Sequence, residues 1–244
     1  MTGPPDRTLV VIPSRWASRR LEGKPLAELD GEPMVWHVVL RAREAAIGEV
    51  VVATDDERIL EAVRTRGGAA MMTSSRWRNG SERVAEVARS RPDADLVIDL
   101  QGDEPLMDPG VLVALDAHLR GRPEVPVGTA VVPLAAGELQ SHSVVKAELD
   151  DSGLALAFWR DPADRVLASG EVHRHLGVYA YRRQALLRYA ELPPSPLELE
   201  RSLEQMRAME NGMAITALRL SARGVSVDTE DDLAVARRRL AARG

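Results

Sequence analysis

The sequence predicts an α/β fold: a mostly parallel sheet with helices on both faces and an antiparallel excursion inserted late. Three observations predict it. Short apolar runs alternate with segments of helical periodicity through the first half of the chain, the order that yields parallel strands joined by crossover helices. Charged loops follow the apolar runs directly, as they do at the strand ends of such sheets. From Val125 onward the alternation stops, and strand-like runs succeed one another with only turns between them.

Thr8 to Pro13 reads as a buried strand, followed by a basic loop from Ser14 to Lys24 and an amphipathic helix from Met34 to Ala46. Glu49 to Thr54 is the next strand. Asp55-Asp56 can cap a helix running to about Arg66, Gly67-Gly68 stop it, and Ala69 to Met72 forms a short strand. Ser81 opens a helix to Arg89, Leu96 to Leu100 is a strand, and Asp108 to Leu119 is helical. Val127 to Pro133, Val144 to Leu149 and Ala155 to Trp159 read as strands, the last two joined by the turn Asp150-Asp151-Ser152-Gly153. Arg174 to Tyr181 is a further strand, Arg183 to Ala190 a short helix, Pro196 to Asn211 one long helix, Ala214 to Leu220 a strand and Asp231 to Ala242 the closing helix.

The 244 residues contain no linker, low-complexity tract or internal repeat, so a single domain over 1–244 is expected. Hydrophobic residues make up 45% and charged residues 28%, and the formal net charge of -5 argues against a general nucleic-acid binder. Cysteine is absent, which removes disulfides, thiolate nucleophiles and cysteine zinc sites. No signal-like start and no apolar stretch approaching the ~20 residues of a membrane span are present, so a cytoplasmic protein without membrane contact is expected. Lys24 and Lys146 are the only lysines among many arginines, which singles them out.

Two clusters carry chemistry. Gln101-Gly102-Asp103-Glu104-Pro105 places carboxylates where a strand ends, the position at which a metal-bound phosphate is held in open α/β sheets. The loop from Pro13 to Pro25 holds Arg15, Arg19, Arg20 and Lys24 just past the first strand, a concentration of positive charge suited to a polyanion. Neither the G-x-x-x-x-G-K-[ST] loop nor the G-x-G-x-x-G fingerprint is present, so a P-loop ATPase and a dinucleotide dehydrogenase are both excluded.

These clusters, with Ala53-Thr54-Asp55-Asp56, Met72-Thr73, Asn79-Gly80-Ser81-Glu82-Arg83, Arg174-His175-Leu176-Gly177-Val178-Tyr179 and Val227-Asp228-Thr229, occur in an order that resembles the CMP-Kdo synthetases, the 3-deoxy-manno-octulosonate cytidylyltransferases. The resemblance spans nearly the whole chain. It implies a Rossmann-like sheet of the nucleotidyltransferase (GT-A-like) type and a reaction of CTP with an acid to give a CMP conjugate and pyrophosphate, with Mg²⁺. It further implies a homodimer, with 125–182 as the acceptor or dimerisation excursion. A GT-A glycosyltransferase would show a D-x-D motif, which Gly102-Asp103-Glu104 does not supply. A nucleotide-binding regulatory protein would not need both Asp103 and Asp228.

By position, the resemblance assigns Ser14, Arg15, Arg20 and Lys24 to the triphosphate, Arg83 with Thr73 and Ser81 to the nucleoside, and Asp103 and Asp228 to the metal. Arg15, Lys24 and Asp103 are the expected catalytic residues. Gln101 borders both substrates, while Arg160, Arg165, His175 and Glu204 are expected on the acceptor side. Asp228 can also cap the last helix, and Glu204 with Arg207 has the spacing of an exposed helix pair. Of the remaining histidines, His37 reads as a core or boundary residue.

One departure bears on the acceptor. The interval from Arg160 to His175 is shorter than the family pattern and lacks its Ile-Pro, which implies fewer contacts for a large sugar acid. The expected acceptor is therefore a small phosphonate such as phosphonoformate, with the octulosonate as the alternative.

Overall fold

The computed structural model describes residues 7–17, 21–165, 170–221 and 226–242. In chain order the elements are β1 (Thr8–Ser14), β2 (Glu28–Leu29), β3 (Glu32–Pro33), α1 (Met34–Glu44), β4 (Gly48–Thr54), α2 (Glu57–Arg64), β5 (Ala69–Met72), α3 (Gly80–Arg89), β6 (Leu96–Leu100) and α4 (Pro109–Arg120). They continue as β7 (Val127–Val132), β8 (Lys146–Leu149), β9 (Ala155–Trp159), β10 (Glu171–Arg182), α5 (Arg183–Glu191), α6 (Pro196–Arg201), α7 (Gln205–Glu210), β11 (Ile215–Arg219) and α8 (Glu230–Ala241).

The main sheet runs β11-β7-β10-β6-β1-β4-β5. β1 pairs in parallel with β4 and β6, and β4 with β5, while β10 runs antiparallel between β6 and β7. Every residue of β1 is buried, as expected of a central strand covered on both faces. One face packs on α1, α2 and α4 through residues such as Val10, Ile12, Val39, Ile59 and Leu115; the other packs on α3, α5 and α7 through Val11, Val84, Val97, Leu186 and Met206. Among the described residues no helix is long and apolar enough to cross a membrane.

β8 and β9 form a hairpin that continues the sheet only beside the first half of β10, whose register with β7 shifts between His175 and Tyr179. The run Val127–Val132 lies within the main sheet, buried along its whole length.

Three features depart from the expected elements. Pro196 to Asn211 is two short helices, because Ser202 takes a left-handed conformation (φ 53°) that ends α6 and turns Leu203 into the core. Lys24–Leu26 is a 3-10 turn, and β2 and β3 make a small hairpin around Asp30-Gly31, both at positive φ. That pair is the Asp-Gly turn signature, so this hairpin was readable in the sequence.

A small third cluster ties these pieces together. Leu29, Met34, Leu106, Val227, Leu233 and Ala236 are buried against one another and fasten the start of α8 beside the loop after β6. Main-chain pairing completes the junction, with Val227 N donating to Asp103 O at 2.9 Å.

Candidate active site

A cleft of about 920 Å³ opens above the carboxyl ends of β1 and β6. Its walls bring together Ser14, Arg15, Lys24, Arg83, Gln101, Asp103, Arg160, His175, Glu204 and Asp228. Ten of the expected site residues thus meet in one place, from segments as distant as β1 and the stretch just before α8.

At one end lies Lys24. Its Nζ donates to Asp103 Oδ2 at 2.8 Å, to the Val227 carbonyl at 2.8 Å and to Asp228 Oδ1 at 3.3 Å. The 3-10 turn aims the lysine inward, the Val227–Asp103 pairing brings the second carboxylate, and Thr229 caps α8 in a box with Asp232. Capping therefore falls to Thr229, leaving the Asp228 side chain turned to Lys24. Gly102 is needed here for close approach: a Cβ on it would lie 2.4 Å from Ser14 Oγ and 2.8 Å from the Pro13 carbonyl. Beside these carboxylates, burial pushes the Glu104 carboxyl up to about 8, with Asp103 adding to the shift.

Arg83 is buried and enters the cleft already oriented. Its guanidinium donates to Asp55 Oδ2 at 2.7 Å and to the Thr73 hydroxyl, which itself donates to the Thr54 carbonyl at 3.0 Å. Thr73 accordingly stands behind Arg83 and does not line the cleft. Ser81 is likewise fully buried behind the wall, its hydroxyl 2.9 Å from Asp99 Oδ2. Asn79, whose side chain accepts from Glu82 N, starts the helix that carries both residues. Asp56 caps α2, which leaves Asp55 for Arg83.

On the opposite wall His175 bonds Thr129 Oγ1 at 2.8 Å and meets Phe158 edge-on at 5.2 Å. Burial lowers its pKa to about 3, so the imidazole is neutral at physiological pH. Glu204 accepts from Ser81 N at 3.3 Å, and burial raises it to about 7. Arg160 lines the cleft, and its carbonyl accepts from the fully buried Lys146 at 2.6 Å, giving the second lysine a structural task. Arg165 is exposed and away from the cleft wall, so the expected acceptor contact from it is not supplied. Arg20 lies outside the described residues.

Several supporting residues escaped the sequence reading. Arg207 is completely buried and pairs with Glu82 at 2.8 Å and in bidentate fashion with Glu198 at 2.6 and 2.7 Å, rather than forming an exposed pair with Glu204. Asn79 Nδ2 reaches Tyr189 OH at 3.0 Å and Glu198 Oε1 at 3.2 Å, joining the same network. Asp99 is a carboxylate inside the apolar strand Leu96–Leu100, and that anomaly was its available signal.

The cytidylyltransferase family pattern matches residues 9–215. The 3-deoxy-manno-octulosonate cytidylyltransferase of Myxococcus xanthus is 47% identical over 242 residues, covering 98% of each chain. The chain belongs to the CMP-Kdo synthetase family of cytidylyltransferases. A relative of the same description from Geobacter metallireducens is 42% identical over 238 residues, spanning 91% of this chain and 93% of its own. A solved CMP:2-keto-3-deoxy-manno-octonic acid synthetase complexed with CTP superimposes with a TM-score of 0.91 at 38% identity, covering 98% of this chain and 100% of that one. This cytidylyltransferase is thus an enzyme that uses CTP, and the α/β fold with its mostly parallel sheet is that of its structural relative.

Proposed function

We propose that this enzyme joins CMP from CTP to 3-deoxy-manno-octulosonate, releasing pyrophosphate. The observation that carries the reading is the acceptor wall. Arg160, His175 and Glu204 all face the cleft, and relatives bearing that acceptor in their names include one 47% identical over 98% of this chain. The names of the relatives support this acceptor over the smaller phosphonate expected from the short Arg160 to His175 interval. β9 ends at Trp159 and β10 starts at Glu171, so the shortening falls in the connection between two strands while Arg160 and His175 keep their places on the wall.

In the reaction the anomeric hydroxyl attacks the α-phosphorus, the bond to the β-phosphate oxygen breaks, and the hydroxyl proton passes to solvent. Arg15 and Lys24 supply positive charge for the departing pyrophosphate, and Arg83 offers fixed donors to the acceptor atoms of cytosine. Asp103 and Asp228 fit Mg²⁺. Both carboxylates converge on one cationic point, now the Lys24 ammonium, and Mg²⁺ beside phosphates takes one or two carboxylates with phosphate oxygens and water. Bound there, the ion would neutralise phosphate charge. The same reading takes the enzyme as a homodimer, with the β8–β9 hairpin and its exposed Leu156 at the contact.

Pyrophosphate release with CTP and Mg²⁺ tests the acceptor. Octulosonate should be turned over and phosphonoformate should not; the reverse result would restore the phosphonate.

A further inference from the structure

Gln101 belongs to the cleft wall, yet its amide is held from behind. Its Nε2 donates to Asp99 Oδ1 at 2.7 Å, and Asp99 has no solvent exposure. The other oxygen of that carboxyl, Oδ2, lies 2.9 Å from Ser81 Oγ, which is also 3.2 Å from Tyr181 OH. With both oxygens engaged, Asp99 presents one fixed acceptor to Gln101. The amide is closed in from the side as well, because a Cβ on Gly80 would come within 2.8 Å of Nε2 and 3.1 Å of Oε1. An amide pinned by its nitrogen turns its carbonyl oxygen the other way, as a hydrogen-bond acceptor.

We propose that Asp99 is a positioning residue for acceptor recognition: it orients the Gln101 amide so that Oε1 faces the cleft and accepts from a hydroxyl of the acceptor acid. This rests on the cytidylyl-transfer reading above. Two observations place the effect on the acceptor rather than on CTP. The Asp99 network does not include Arg83, whose partners are Asp55 and Thr73. It does include Ser81, whose main-chain nitrogen also donates to Glu204 on the acceptor side. Gln101 and Glu204 are therefore referenced to the same buried pair, Asp99 and Ser81. Burial, followed by the charge of Glu204, raises the Asp99 pKa well above the ordinary carboxylate value, so a neutral group of the same shape can replace it.

That last point supplies the test. Asp99→Asn keeps a carbonyl toward Gln101 and turns an amide donor toward Ser81, whose hydroxyl can accept it while donating to Tyr181 OH, whereas Asp99→Leu keeps the shape and loses both contacts. Steady-state kinetics of the full chain should give a KM for the acceptor raised about tenfold in Asp99→Leu and near the unaltered value in Asp99→Asn, with the KM for CTP unchanged in both. In a Gln101→Leu background, Asp99→Leu should add no further effect. Where Asp99→Leu fails to fold, Asp99→Ser keeps a small polar group at the site but is too short to hold Gln101 and should show the same rise. Equal acceptor KM values across the Asp, Asn and Leu or Ser forms overturn the inference, as does a parallel rise for CTP. Failure of the reading above shows separately, as the unaltered enzyme turning over phosphonoformate and not octulosonate. Phosphonoformate carries no alcohol hydroxyl for Gln101 Oε1 to accept from, so that result would overturn the inference as well.

Discussion

Lys24 does two jobs with one ammonium. Its Nζ pairs with Asp103 and Asp228, and on the proposed reaction it also meets the triphosphate charge at that end of the cleft. With the lysine gone, two carboxylates remain side by side and the departing pyrophosphate loses a positive partner. Lys24→Met should therefore lower kcat by about 10²–10³-fold, the loss seen when one charge-stabilising donor is removed from an active site. Lys24→Arg should not rescue it, because a planar fork cannot replace a compact ammonium bonded to Asp103, Val227 and Asp228. Steady-state rates with CTP and octulosonate decide this, and a Met variant within about threefold of the unaltered enzyme would remove Lys24 from the catalytic group. Arg83 is a different case, since its geometry depends on Asp55. Asp55→Asn should raise the KM for CTP while leaving that for the acceptor alone, because the residues it disturbs lie on the nucleoside side.

At the scale of elements, the short helices α6 and α7 form part of the cleft wall, and they are held by charge as much as by apolar contact. Arg207 sits without solvent exposure between Glu82 of α3 and Glu198 of α6. Removing one partner of a buried ion pair leaves uncompensated charge, so Arg207→Met should cost about 3–5 kcal/mol, read as a lowered urea midpoint. A midpoint shift equal to that of an exposed control such as Arg238→Met would refute the claim. This network also marks where sequence reading stops. Strands such as Thr8–Ser14 and a cap such as Asp56 were legible because period and capping chemistry are local, whereas the cap of the last helix was read one residue early, at Asp228 instead of Thr229. The facing of Lys24, Asp103 and Asp228 was legible only through ordered motifs. Arg207 was misread as an exposed helix residue because its partner Glu82 is 125 residues away, and the break at Ser202 that delivers it has no Gly or Pro to announce it.

Across the whole molecule, two cleft residues oppose each other in their response to pH. Burial raises Glu204 from 4.5 to about 7, so its contribution to stability is intact below pH 4.5 and is lost as pH rises toward 7. Burial lowers His175 from 6.5 to about 3, so its contribution is intact above pH 6.5 and is lost as pH falls toward 3. Between pH 4.5 and 6.5 the folded chain holds one proton more at Glu204 and one fewer at His175 than the unfolded chain does, and the two slopes cancel. Each slope is about 1.4 kcal/mol per pH unit when only one group differs. The buried Glu104 and Asp99 add falling limbs of their own to every form of the chain, so the signs are read against the unaltered enzyme: Glu204→Gln should turn its pH dependence upward by about one such slope between pH 4.5 and 6.5. His175→Gln should turn it downward over the same range. Urea midpoints of the two variants, each taken as a difference from the unaltered enzyme at pH 5 and pH 6.5, check the signs. If both variants change in the same direction, the walls of the cleft are not as dry as the geometry makes them, and water reaches Glu204 or His175 in the folded enzyme.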